Sequence, residues 1–171
     1  MVWLLGVLAV LLAALFGIRM MNERQAEKEA EEETAAVVYI NQMEHITGIS
    51  YDSGDGEMTF EKTEDGWSYV QDPDFPLSSE YPDQIAEYFG SLTAVRELEG
   101  ADEPAAYGVD EPLYTISLTD SEKGEETLYF GEMTGDNYYV MAETTGNIYT
   151  VSSTAVTYLE HTLDEMAEDD E

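Results

Sequence analysis

Tyr107-Gly108-Val109-Asp110-Glu111-Pro112 is a breaker-rich junction between two segments that read as versions of one unit. Gly108 can adopt the positive φ of a tight bend, while Pro112 holds its own φ and pushes Glu111 towards extended backbone. The chain is therefore expected to turn here and enter a strand. Over 113–119, Leu113, Thr115, Ser117 and Thr119 alternate with Tyr114, Ile116 and Leu118, which places three large apolar side chains on one face of a sheet.

The segment after the junction matches the segment before it. Gly48-Ile49-Ser50-Tyr51 aligns with Thr115-Ile116-Ser117-Leu118, and Met58-Thr59-Phe60 with Leu128-Tyr129-Phe130. Trp67-Ser68-Tyr69-Val70 aligns with Asn137-Tyr138-Tyr139-Val140, and Leu77-Ser78-Ser79 with Val151-Ser152-Ser153, each of these last two followed by a helical pattern. Any two antiparallel meanders followed by helices give a similar likeness, so the shared order of strands and helix is a firmer reading than shared ancestry.

Glycine-containing turns recur at short intervals, as between hairpin-connected strands. Strands are expected at 46–52, 57–62, 67–70, 113–119, 126–131, 137–142 and 147–152. A first helix is expected from Ser79 as N-cap, with Tyr81, Ile85, Tyr88, Phe89 and Leu92 on one face; a second from Ser153, with Val156, Leu159, Leu163 and Met166. The expected fold is one α+β domain over 37–166, its two strand-meander-plus-helix units at about 46–94 and 113–166, joined by 107–112. An acidic tail, 167–171, follows.

Ahead of the domain, residues 1–18 carry no charged side chain. As a helix they span about 27 Å, close to a hydrocarbon core of roughly 30 Å, and are expected to cross a membrane once. A cleaved signal peptide competes, but the run lacks a basic n-region and a small-x-small cleavage site. A buried core helix also competes, disfavoured by apolarity all round. Residues 19–36 read as a charged helical stalk without a coiled-coil seam. Arg19, Arg24 and Lys28 follow the span, and by count favour keeping that side in the cytoplasm; a basic leader ahead of Met1 would reverse the count.

The formal charge is -32, from 38 acidic against six basic side chains. Such a surface repels phosphate backbones and anionic headgroups, which argues against nucleic-acid binding, and attracts cations and basic partners. The plainer reading of the acids is a solvated face that keeps the chain soluble. With no cysteine there is no disulfide, thiolate nucleophile or Cys-ligated zinc.

No nucleophile elbow accompanies the two histidines, His45 at the entrance to the first strand and His161 on the expected second helix, and phosphate-cradling loops and zinc spacings are absent. No cofactor is expected. Asp52-Ser53-Gly54-Asp55-Gly56-Glu57 superficially resembles a calcium loop, which makes Asp52, Asp55 and Glu57 the candidate metal ligands, but it lacks the alternating acids and closing Glu of an EF-hand. An acidic hairpin turn is the simpler expectation. Tyr138 and Tyr139 must point to opposite faces of a strand, so one of them could belong to a binding surface; filling the sheet is the plainer role.

The pattern resembles a bacterial family catalogued as domain of unknown function 4340. The features that carry it are Ile46-Thr47-Gly48-Ile49, Gly66-Trp67, the helix over 79–92, Tyr107-Gly108-Val109-Asp110-Glu111-Pro112, Phe130-Gly131 and Tyr138-Tyr139-Val140. The resemblance implies an exported, membrane-tethered domain without established activity, some relatives of which accompany ABC-type transport systems, and it supplies no catalytic residues. It also implies, against the charge count, that the C-terminal domain lies outside the cytoplasm. The resulting expectation is a noncatalytic binding or scaffold module with a transporter or envelope protein as partner. The alternative is a cation-dependent envelope enzyme using carboxylates such as Asp52, Asp55 or Asp110.

Overall fold

Strand formation follows the alternation closely. The computed structural model describes residues 37–52 and 56–168, and its strands are β1 (Val38–Tyr39), β2 (Ile46–Asp52), β3 (Glu57–Thr63), β4 (Gly66–Tyr69), β5 (Thr93–Ala94), β6 (Arg96–Glu97), β7 (Tyr114–Asp120), β8 (Gly124–Thr134), β9 (Asn137–Ala142) and β10 (Ile148–Ser152). The helices are α1 (Glu80–Gly90) and the single turn α2 (Thr154–Thr157). The fold is thus a mostly antiparallel sheet with few helices. The expected anchor 1–18, the stalk 19–36 and Asp55 lie outside the described residues. Among the described residues no helix is long and apolar enough to cross a membrane.

Eight strands form one sheet in the order β4-β3-β2-β7-β8-β9-β10-β6, and β1 pairs separately with β5. The two meanders meet at β2 and β7, where Ser50 is the partner of Ser117, flanked by Ile49 with Leu118 and Tyr51 with Ile116. That register relates the two strands by a local two-fold through the serine pair, because Ile49 faces Leu118 while its equivalent Ile116 faces Tyr51, the equivalent of Leu118. Ser50 partners Thr59 on β3, and Ser117 partners Thr127 on β8. In space, therefore, Met58-Thr59-Phe60 corresponds to Glu126-Thr127-Leu128, two positions before the sequence match. Trp67, opposite Lys62, corresponds to Val140, opposite Phe130, and not to Asn137. A register shift in the β8–β9 pairing between Phe130 and Met133 absorbs the difference in length.

One face of the sheet carries the core. Ile49, Tyr51, Phe60, Ile116, Leu118, Leu128, Phe130 and Val140 are all buried, and α1 lies against β2 and β7. On α1 the apolar spacing delivers Ile85 and Phe89 to the sheet, each at most 1% exposed, and each such side chain contributes about 1.5–3 kcal/mol of burial. The start of α1 is pinned by Asp83, which accepts from Trp67 Nε1 at 2.8 Å and pairs with Lys62 at 3.3 Å. Neither expected N-cap acts through its side chain. Ser79 and Ser153 are already helical in φ and ψ; the preceding serines do the work, Ser78 Oγ accepting from Glu80 N and Ser152 Oγ from Thr154 N.

The second helix is corrected more deeply. It stops after one turn, and Leu163–Met166 forms a 3-10 turn instead. Thr162 begins that turn with a capping box, its hydroxyl accepting from Glu165 N while the Glu165 carboxylate accepts from Thr162 N at 2.9 Å. Those hydrogen bonds hold the Glu165 carboxyl below its ordinary range. Val156, Leu159 and Met166 still reach the core from this broken path. Just beyond it Ala167 bridges to Leu77, and Glu168 N donates to Pro76 O at 2.7 Å.

Asp120 fixes one end of the β2–β7 pair, where it lies opposite Ile46. It is 3% exposed, and it accepts backbone N–H groups from His45, Glu122 and Lys123 at 2.8–2.9 Å. Burial alone would raise its pKa, but these donors outweigh burial and hold the carboxyl below its ordinary value.

Candidate functional site

The junction motif assembles as a clasp on the sheet. A 3-10 turn over Pro104–Tyr107 ends in Gly108, whose φ of 69° is the left-handed conformation expected of it. Tyr107 packs edge-on against Tyr139, ring centroids 4.9 Å apart, and its hydroxyl accepts from Asp102 N at 3.0 Å. Val109 is buried, while Asp110 is exposed. Gly131 on β8 lies directly beneath. A Cβ there would stand 2.8 Å from the Gly108 carbonyl carbon and 2.9 Å from Val109 Cγ1, so only glycine lets the loop sit this close. The motif residues Tyr107, Gly108, Val109 and Gly131 therefore meet in one packing unit. Pro112 precedes β7, whose first residue is Tyr114, one position later than expected.

The tyrosine pair divides as strand geometry requires. Tyr138 packs with Tyr114 and Phe130 at 6.1 and 6.4 Å, whereas Tyr139 meets Tyr107 on the opposite face. Both rings are half-buried against other aromatics, so the two do not make one exposed surface.

Of the candidate metal ligands, Asp52 and Glu57 are opposite residues at the ends of β2 and β3. Glu57 accepts from Ser50 Oγ at 2.7 Å, a sheet contact. Among the described residues no group of three or more His, Asp or Glu side chains is placed to hold a metal ion. The histidines are far apart in role. His45 approaches Glu122 at 3.8 Å. His161 lies beyond α2, not on a helix, with its ring 5.0 Å from Tyr81 and Nδ1 3.9 Å from Glu165. It also borders a cavity of about 250 Å³ with Glu57, Tyr69 and Glu160.

Another concavity was not marked by any motif. A cavity of about 460 Å³ runs along the C-terminal half of α1, with Tyr88, Leu92 and Tyr158 as its apolar wall and Gln84, Glu87 and Thr93 exposed at its rim. Tyr88 and Tyr158 stack at 4.5 Å with 28° between ring planes, and burial, then the Tyr158 phenol, raises the Tyr88 pKa. A second cavity of about 310 Å³, bordered by Met43 and Glu44, shares Glu87 and Ser91 with the first. The two adjoin at Glu87 and Ser91 on the exposed side of the helix end, and the first, with its aromatic wall, forms a trough along the helix. Tyr88 was legible as a helix-face residue, but its partner Tyr158 comes from the far end of the chain and carries no local signal.

A family model described as a domain of unknown function, DUF4340, matches residues 67–171. No curated protein and no solved structure matches the chain.

Proposed function

This chain belongs to the DUF4340 family, and from that premise we propose that it is a noncatalytic binding or scaffold module, anchored by residues 1–18 with its domain outside the cytoplasm, serving a transport or envelope assembly. The observation that carries the reading is the joining of an uncharged run of membrane-spanning length to a strongly acidic domain. The trough supports it further, since a concave surface with an aromatic wall and a polar rim suits recognition. The packed clasp supports a structural role for the family motif.

Two measurements test the proposal. Alkaline carbonate should leave the full-length protein in the membrane pellet, and its recovery in the supernatant would defeat the anchor. Protease added to intact wall-stripped cells should digest the domain; protection until lysis would place it inside, as the charge count alone suggests.

A further inference from the structure

We propose that the trough along the C-terminal half of α1 docks an extended segment of a basic protein partner, with an arginine or lysine lying on the Tyr88–Tyr158 pair and its charge against Glu87. The proposal deepens the binding-module reading and rests on it. Three observations converge on this occupant.

The first is electrostatic. The C-terminal end of a helix is the negative end of its dipole, and α1 has no basic side chain in its last turn. The exposed carboxylates of Glu87 and Glu44 add to that potential along the two adjoining cavities. Lys62 borders the farther cavity, but its charge is engaged by Asp83 at 3.3 Å and by the Trp67 ring at 5.2 Å.

The second is chemical. Stacked, half-buried tyrosines offer a ring face to a cation, and the buried Leu92 beside them suits the aliphatic stem of arginine or lysine. The third is extent. At about 460 Å³ the trough has room for more than one residue of an extended chain. A second copy of this chain, at -32, would meet repulsion, as would a nucleic acid.

The probe is a fluorescein-labelled decapeptide of alternating arginine and leucine, with a citrulline–leucine peptide as its uncharged isostere. Binding to the full-length protein in nonionic detergent is read by anisotropy. The arginine peptide should bind and the isostere should not. Glu87→Gln, Tyr158→Leu and Thr93→Arg, the last adding a positive charge at the rim, should each weaken binding by about tenfold, while Glu125→Gln, remote on β8, should change it less than about twofold. Thr93 and Glu87 are exposed, so these variants keep the fold if Tyr158→Leu does not. Absence of binding overturns the proposal outright, and equal weakening by Glu125→Gln and Glu87→Gln replaces it with diffuse charge attraction. Either result leaves the anchoring and orientation tests untouched.

Discussion

The two halves of the sheet solve the same covering problem differently. The β2–β4 meander is followed by α1, an 11-residue helix that buries Ile85 and Phe89. The β7–β10 meander is followed by one helical turn, an irregular stretch and a capped 3-10 turn, which still bury Val156, Leu159 and Met166. The second half also carries the junction clasp on its other face, seated on Gly131. Burial of apolar side chains is the shared requirement; regular helix is only one way to meet it.

The sharpest test of the comparison is at two glycines. Gly131→Val would drive a side chain into the clasp, and Gly90→Val would drive one into the Met43 carbonyl oxygen, 2.7 Å from a Cβ at that position. Each should cost about 3 kcal/mol or more in urea unfolding. If the clasp is an ornament of the second half, Gly131→Val will leave the midpoint unchanged.

Next come cavities under the two covers. Phe89→Ala should cost about 3–5 kcal/mol, because a regular helix held at both ends relaxes little. Leu159→Ala should fall near the lower end of the roughly 2–5 kcal/mol range, because an irregular segment collapses more readily into the space. Equal losses would erase the distinction between the covers.

The same contrast shows what was legible. The strands could be read because Tyr114, Ile116 and Leu118 alternate cleanly, and α1 because its apolar face is continuous. In the last segment the spacing of Val156, Leu159, Leu163 and Met166 imitates a helix, yet Thr162 and Glu165, the threonine-x-x-glutamate signature of a new start, interrupt it. β5 and β6 have two residues each, too few to show a period. The Gly131 contact and the Tyr88–Tyr158 stack join residues distant along the chain, which no local pattern records. His161 followed the mistaken helix out of place.

A smaller effect is expected at Asp120, which ties both halves at one end. Its folded-state pKa is depressed, so its stabilisation is complete above the unfolded value and is lost as pH falls through the folded one. Asp120→Asn should lower Tm at neutral pH, and the gap from the parent should close on acidification through that range. A gap independent of pH would show that the ionised form does not matter. The smallest change is Thr162→Ala, about 1 kcal/mol from loss of the cap; a larger loss would mean that the final turn is as integral as α1.

The Ser50–Ser117 pairing has a consequence for the order of assembly. β2 is an interior strand of the sheet, yet its second partner, β7, is the seventh strand to be made, and the His45–Asp120 contact beside it spans 75 positions. Closing so long a loop costs entropy before any contact repays it. A chain emerging from its N-terminus thus presents β2, β3, β4 and the apolar side of α1 well before β7 arrives to complete them. Until then the free edge of β2 is a template for pairing with other chains, so the nascent first half is the stage at which this protein is most exposed to aggregation.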